Sequence, residues 1–280
     1  MNNVQLQYDN RPIGVFDSGI GGLTVMSELA AKLPDESIIY LGDTARVPYG
    51  DKSPETITKY ALEDAAFLAE SGVKLIIAAC NTVSSVALDV LKKSFDIPVY
   101  GVIESGAAAT ASMTGKIAVI GTKTTVASGA YVREIKKVSP QLDVECIACP
   151  LLVPLAEEGI SSRKILDEVM KIYLGKYREF PPEALLLGCT HYPLFHDDFN
   201  RFFSGKVKII SSASAATDMV IKLIRQGKIA AADGKNPPDY RFCVTDVPEK
   251  FICCASRFFG SRVKNAEQVS LACVIEKNVF

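Results

Sequence analysis

Along the chain, short runs of aliphatic and β-branched residues alternate with longer stretches in which apolar and polar positions mix. The runs are Ile13 to Phe16, Ile38 to Leu41, Val73 to Ala79, Val99 to Ile103, Ile117 to Ile120, Val144 to Ala148, Ala184 to Leu187 and Val207 to Ile210. Strands apolar on both faces need cover on both faces, and helix-length connections between them are those of parallel sheets. The pattern therefore predicts an α/β fold of mainly parallel sheets covered by helices. One helix start is explicit: Ser53-Pro54-Glu55 supplies a capping hydroxyl, a proline at the first helical position and an acid near the positive end of the dipole. A helix from Pro54 to Ser71, ended by Gly72, is expected, with further helical stretches at about Thr217 to Gln226 and Pro248 to Phe259.

Two of the runs end in a cysteine followed at once by hydroxyl or amide side chains. These are Leu75 to Ala79 leading into Cys80-Asn81-Thr82, and Ala184 to Gly188 leading into Cys189-Thr190-His191, with the cysteines 109 positions apart. A second pair of features recurs at similar spacing, Ile13 to Gly19 and Lys116 to Thr122, each a strand followed by a small or polar turn. Each half thus carries one strand-turn unit and one strand-cysteine unit, which points to two similar, pseudo-symmetric α/β halves facing each other across a cleft. Residues 1–105, completed by 214–280, are expected to form the first, and residues 106–213 the second. The halves should meet near Gly101 to Ala111 and Ser211 to Ala216, with the tail packed back on the first half.

Length and charge narrow the partner. With 280 residues the chain buries a large core without disulfides. Its 31 basic and 32 acidic residues nearly cancel, which argues against nucleic acid or an anionic membrane as the main partner. A small molecule is the expected ligand. The polar start, Met1 to Asn10, lacks the apolar core of a signal peptide, and no apolar run is long enough to span a bilayer. A cytoplasmic protein is expected, whose eight cysteines are mostly free thiols.

In open α/β sheets the carboxyl ends of strands face the ligand crevice. Cys80 and Cys189 both sit there, although burial as a small hydrophobe is the ordinary fate of a cysteine in an apolar run. A free thiol titrates near pH ~8.5, so a thiolate base at neutral pH needs help. Asp17 and His191 are the nearest sequence candidates to give it. Asp17-Ser18-Gly19-Ile20-Gly21-Gly22 follows a strand and opens a helix, so its glycines would let backbone N–H groups approach an anion; it lacks the lysine of a P-loop. Pro48-Tyr49-Gly50 should form a loop at the same strand-end face. His196 reads as an exposed helix residue. Cys146 and Cys149 have metal or redox spacing but supply only two ligands, so strand packing explains them better. Cys243, Cys253, Cys254 and Cys273 suggest no site.

Taken together, Asp17-Ser18-Gly19-x-Gly-Gly, Pro48-Tyr49-Gly50, Cys80-Asn81-Thr82, Pro154-Leu155-Ala156-Glu157 and Gly188-Cys189-Thr190-His191 resemble the glutamate racemases, cofactor-independent enzymes that supply D-glutamate for bacterial peptidoglycan. The resemblance runs from about Ile13 to Gly260. It implies a two-domain α/β fold with glutamate bound between the halves and neither metal nor cofactor. It also implies that Cys80 and Cys189 are the catalytic pair, Cys80 acting on D-glutamate with help from Asp17, Cys189 on L-glutamate with help from His191 and Glu157. The Pro-Leu-x-Glu spacing selects Glu157 over Glu158. Asp17, Ser18, Tyr49, Gly50, Asn81, Thr82, Thr190 and His191 match the family's substrate-binding positions, with Thr122 and Thr125 as additions.

The stereochemistry is consistent with that pair: inverting an α-carbon removes a proton from one face and returns one to the other, so a base is best placed on each side. The rival readings are a racemase for aspartate or a related amino acid, a two-lobed binding protein that closes on a small ligand without needing either thiol, and a regulatory role through a partner protein, which the balanced charge does not support. About twelve residues precede the first strand, which favours an enzyme that needs no cell-wall precursor as activator. A homodimer is left open.

Overall fold

A computed structural model of the chain describes residues 8–259, 263 and 265–271; Met1 to Gln7 and Cys273 lie outside the described residues. Ten strands are present among them: β1 (Ile13–Asp17), β2 (Ile38–Gly42), β3 (Leu75–Ala78), β4 (Val99–Gly101), β5 (Lys116–Gly121), β6 (Asp143–Ala148), β7 (Ala184–Gly188), β8 (Lys208–Ser211), β9 (Tyr240–Val244) and β10 (Glu267–Gln268). They form two sheets, in the orders β10-β9-β2-β1-β3-β4 and β6-β5-β7-β8. All strand pairs are parallel.

The inner order of the first sheet, β2-β1-β3-β4, is repeated in the second as β6-β5-β7-β8. In each, the chain leaves the first strand to one side and returns on the other, which opens a crevice at the carboxyl ends of β1 and β3, and of β5 and β7. The strands alternate faces as period-2 geometry requires. Ile13, Val15, Ile38, Tyr40, Leu75 and Ile77 share one core with the helices Leu23–Lys32, Ser212–Arg225 and Pro248–Phe259, while Phe16, Ile39, Leu41, Ile76 and Ala78 share another with Pro54–Glu70. In the second sheet Ala118, Ile120, Leu185 and Leu187 face one core, and Ile117, Val119, Ala184 and Leu186 the other.

The Ser53 hydroxyl caps the helix Pro54–Glu70 by accepting from the Thr56 N–H at 3.3 Å, and Gly72 ends the turn at φ +73°. Three elements depart from the sequence reading. The strand expected over Val99 to Ile103 stops at Gly101, and Val102 opens a helix, Val102–Ala108. Both residues are buried either way, so apolar character alone does not separate the two. The helix expected from Thr217 starts at Ser212, where the Ser211 hydroxyl caps it. Finally, β9 and β10 extend the first sheet beside β2.

Helix Val102–Ala108 leads from β4 to β5, helix Ser212–Arg225 leaves β8 for the tail, and the two pack against each other. No helix among the described residues is long and apolar enough to cross a membrane.

Candidate active site

Between the two sheets lies a cavity of about 260 Å³. The carboxyl ends of β1 and β3 contribute Ser18, Cys80, Asn81 and Thr82; those of β5 and β7 contribute Thr122, Cys189, Thr190 and His191; the loop at Tyr49 and Gly50 and the helix bearing Glu157 complete it. Cys80 and Cys189, each 5% exposed, thus line one space from different sheets.

At the first thiol, Cys80 lies 3.6 Å from the Ser18 hydroxyl. Burial, and then the charge of Asp17, push the Cys80 thiol up to about 12, against the Val83 N–H and the Ser18 hydroxyl. Asp17, the last residue of β1, is itself fully buried. Its carboxylate accepts from the Gly19 N–H at 3.2 Å and from the Thr190 hydroxyl at 3.3 Å. Burial raises its pKa, opposed by the charge of His191 and by these hydrogen bonds.

At the second thiol, Cys189 Sγ lies 3.8 Å from His191 Nδ1. His191 Nε2 lies 3.3 Å from Glu157 Oε1, an ion-pair contact that falls short of good hydrogen-bond geometry. Burial alone would push the imidazole down. The close contacts with Cys189 and Glu157 and the charges of Cys189 and Asp17 outweigh it, and His191 is lifted to about 10. It is therefore an imidazolium at neutral pH. Glu157 is partly buried and borders the cavity, and Glu158 is exposed.

The glycine turn does something the sequence did not suggest. A Cβ on Gly21 would stand 2.3 Å from Thr190 Oγ1 and 2.7 Å from His191 Nδ1, and one on Gly22 would stand 2.6 Å from Asp17 Cβ. Bare backbone here lets the two halves meet, bringing His191 within reach of the Asp17 charge. The Thr24 hydroxyl adds a further tie, lying 2.9 Å from the Gly21 carbonyl and 3.1 Å from the Thr190 carbonyl.

Three threonines bridge the sheets. The Thr82 and Thr122 hydroxyls are 3.0 Å apart, and the Thr122 hydroxyl lies 3.0 Å from that of Thr125. Thr125 is buried behind Thr122, outside the cavity wall. Gly50 borders the cavity and its carbonyl accepts from the Thr124 hydroxyl at 2.8 Å. Tyr49 borders it too, but its hydroxyl is bonded to Asp43 and, at 3.1 Å, to Asp64. Burial and then the charges of Asp64 and Asp43 hold that phenol neutral. His196 lies on an exposed surface away from the cavity.

Residues 13–220 match the family described as Asp/Glu/Hydantoin racemase. The chain belongs to the Asp/Glu/hydantoin racemase family. Within reach of this racemase, a glutamate racemase of Geobacter metallireducens is 44% identical over 263 residues, covering 93% of this chain and 97% of that protein. One from Chlorobium phaeobacteroides is 43% identical over 263 residues, covering 93% and 96%. The crystal structure of glutamate racemase from Francisella tularensis subsp. tularensis in complex with D-glutamate has a TM-score of 0.86 at 41% identity, covering 94% of this chain and 98% of that one. The fold of this racemase is accordingly the two-domain α/β fold of glutamate racemases, and its activity class is that of an isomerase.

Sequence reasoning missed several residues of this candidate site. Pro150 and Val153 border the cavity, Tyr131 and Ser212 hold Asn81 from behind, and Lys123 stands at the mouth, 3.3 Å from Asp51. The Cys149-Pro150 pair before the Pro154 motif was a usable signal for the first two. Tyr131 and Ser212 gave none, because their partner is 50 and 131 positions away.

Proposed function

We propose that this racemase interconverts L- and D-glutamate by proton transfer between two cysteines, Cys80 and Cys189, with no organic cofactor or metal. The observation that carries the reading is that both thiols, themselves buried, line one cavity from corresponding strand ends of two like sheets. At about 260 Å³ the cavity is smaller than the ~300–1,000 Å³ of drug-sized ligand sites, which suits a small amino acid.

The L-glutamate direction uses the form in which Cys80 is a thiol and His191 an imidazolium. A thiolate at Cys189 takes the α-proton from one face, and the Cys80 thiol delivers its own proton to the other. The product is D-glutamate with Cys189 protonated and Cys80 a thiolate, and the reverse reaction starts from that state. His191 and Glu157 serve the Cys189 step, and Asp17 the Cys80 step. The α-proton is weakly acidic, so the carbanion needs a dry site with fixed donors. Ser18, Asn81, Thr82, Thr190 and the Tyr49-Gly50 loop would hold the carboxylates and amine, with Thr122 and Thr125 fixing Thr82.

We assign the walls to two domains, residues 1–105 with 214–280 and residues 106–213, and the product to cytoplasmic supply of D-glutamate for peptidoglycan. The test is circular dichroism of purified protein with L-glutamate, D-glutamate and L-aspartate in separate cuvettes. Decay of both glutamate signals and not of aspartate is expected. Decay with aspartate alone would move the substrate to the shorter acid, and a flat trace in all three would sink the racemase reading for acidic amino acids.

A further inference from the structure

Tyr131 is a buried phenol, 1% exposed, on the helix Ala130–Val138. Its ring is wedged between two glycines. A Cβ on Gly188 would lie 2.8 Å from Tyr131 Cε2, and one on Gly106 would lie 3.3 Å from Cε1. Gly188 is the residue before Cys189. At the other end of the side chain, the hydroxyl donates to Asn81 Oδ1 at 2.6 Å, and Asn81 is the residue after Cys80. One side chain of the second half therefore touches the turn of each thiol.

The hydrogen bonds around it have a fixed direction. The Ser212 hydroxyl gives its only proton to the Leu187 carbonyl at 2.9 Å, so toward Asn81 Nδ2, at 3.4 Å, Ser212 can only accept. Asn81 accordingly presents its NH₂ to Ser212 and its carbonyl to Tyr131, with Ser212 also beside the Tyr131 hydroxyl. An amide group has two N–H donors, of which Ser212 accepts one, while Tyr131 takes one of the two lone pairs of its carbonyl. The second N–H is the donor that Asn81, a wall residue of the cavity, holds for a ligand.

We propose that Tyr131 is a positioning residue that joins the Cys80 and Cys189 turns and locks the Asn81 amide with its donor side available to an anionic substrate. A flipped amide would turn its carbonyl oxygen toward the substrate carboxylate, acceptor against acceptor. The role of Asn81 in this proposal rests on the glutamate reading above; the lock itself does not.

The experiment compares wild type, Tyr131→Phe, Asn81→Ala and the double variant. Phenylalanine keeps the ring between Gly106 and Gly188 and removes only the donor. For Tyr131→Phe, KM for both glutamate enantiomers should rise about tenfold, the loss expected when a buried hydrogen bond to a polar partner is removed, with kcat changed less. In the Asn81→Ala background the same substitution should change KM by less than about twofold. Equal effects in both backgrounds would mean a merely structural role and overturn the proposal. The Asn81 side-chain amide protons, assigned by NMR from their loss in Asn81→Ala, should form a separate resolved pair in wild type and shift or broaden in Tyr131→Phe without any ligand. An unchanged pair would overturn the lock even in a protein that does not turn glutamate over, whereas a wild type that fails only in the turnover assay would count against the substrate reading alone.

Discussion

Cys80 and Cys189 occupy corresponding places in the two sheets, yet their surroundings differ in kind. The last residue of β1 is Asp17, and the last of β5 is Gly121. Two residues beyond Cys80 stands Thr82, and two beyond Cys189 stands His191. The first thiol is thus pushed up by burial and then by a buried carboxyl, while the second stands beside an imidazolium backed by Glu157. Ser18 and Thr122 also correspond, but Ser18 touches Cys80 while Thr122 touches Thr82. The repeated topology places two like groups at one cavity; the residues around them make the two corners chemically unlike.

The widest test of that contrast removes each sulfur. Cys80→Ala and Cys189→Ala should each lower racemisation of both enantiomers by at least ~10⁴-fold, measured by circular dichroism; activity surviving either change would break the two-sided scheme. Next come the helpers. Racemisation has an equilibrium constant of one, so kcat/KM stays equal for the two enantiomers in every variant, and the contrast must be sought in kcat. His191→Asn should lower kcat by ~10²–10⁴-fold and more for L-glutamate, Asp17→Asn more for D-glutamate. Equal losses in both directions for both variants would merge the two corners into one acid–base system.

Stability gives a third handle. His191 has a folded pKa of about 10 against an ordinary 6.5, so its contribution is fully present below about pH 6.5 and lost as pH rises through about 10. For Cys80, with about 12 against 9.0, the loss falls between about pH 9 and 12. Between pH 7 and 9 the unfolding midpoint should therefore drop further in wild type than in His191→Asn, by ~5 °C, while Cys80→Ala should follow wild type. The smallest effect separates Ser18 from Thr122: Ser18→Ala should lower kcat ~5-fold through its contact with Cys80, and Thr122→Ala should raise KM and leave kcat within ~2-fold.

Much of this was legible because it is local. Apolar runs of strand length, a serine–proline helix start and a cysteine at the end of each repeated run all lie within a few consecutive residues. Strand β9 was not legible: Tyr240-Arg241-Phe242-Cys243-Val244 carries an exposed arginine and pairs with β2, some 200 positions earlier. The start of helix Val102–Ala108 was misread because Val102 and Ile103 satisfy a strand's apolar pattern as well as a buried helix face. Asp17, Cys80, Cys189 and His191 stood out by residue type and position, and the structure brings them together. That Gly21 is bare to admit His191, or that Tyr131 reaches Asn81, depends on how the halves dock, which no window of sequence contains.

The repeated strand order has a geometric consequence. Two copies of one fold built from L-residues are superposed by rotation, never by reflection, since handedness is fixed in every helix and crossover. Enantiomers, however, are related only by reflection. A protein that handles both cannot offer them mirror-image surroundings; the operation available to it is a rotation that carries one sheet onto the other. The mismatch between a rotation and a mirror must be absorbed by unlike side chains, and Asp17 in the place of Gly121, with Thr82 in the place of His191, is where this molecule absorbs it.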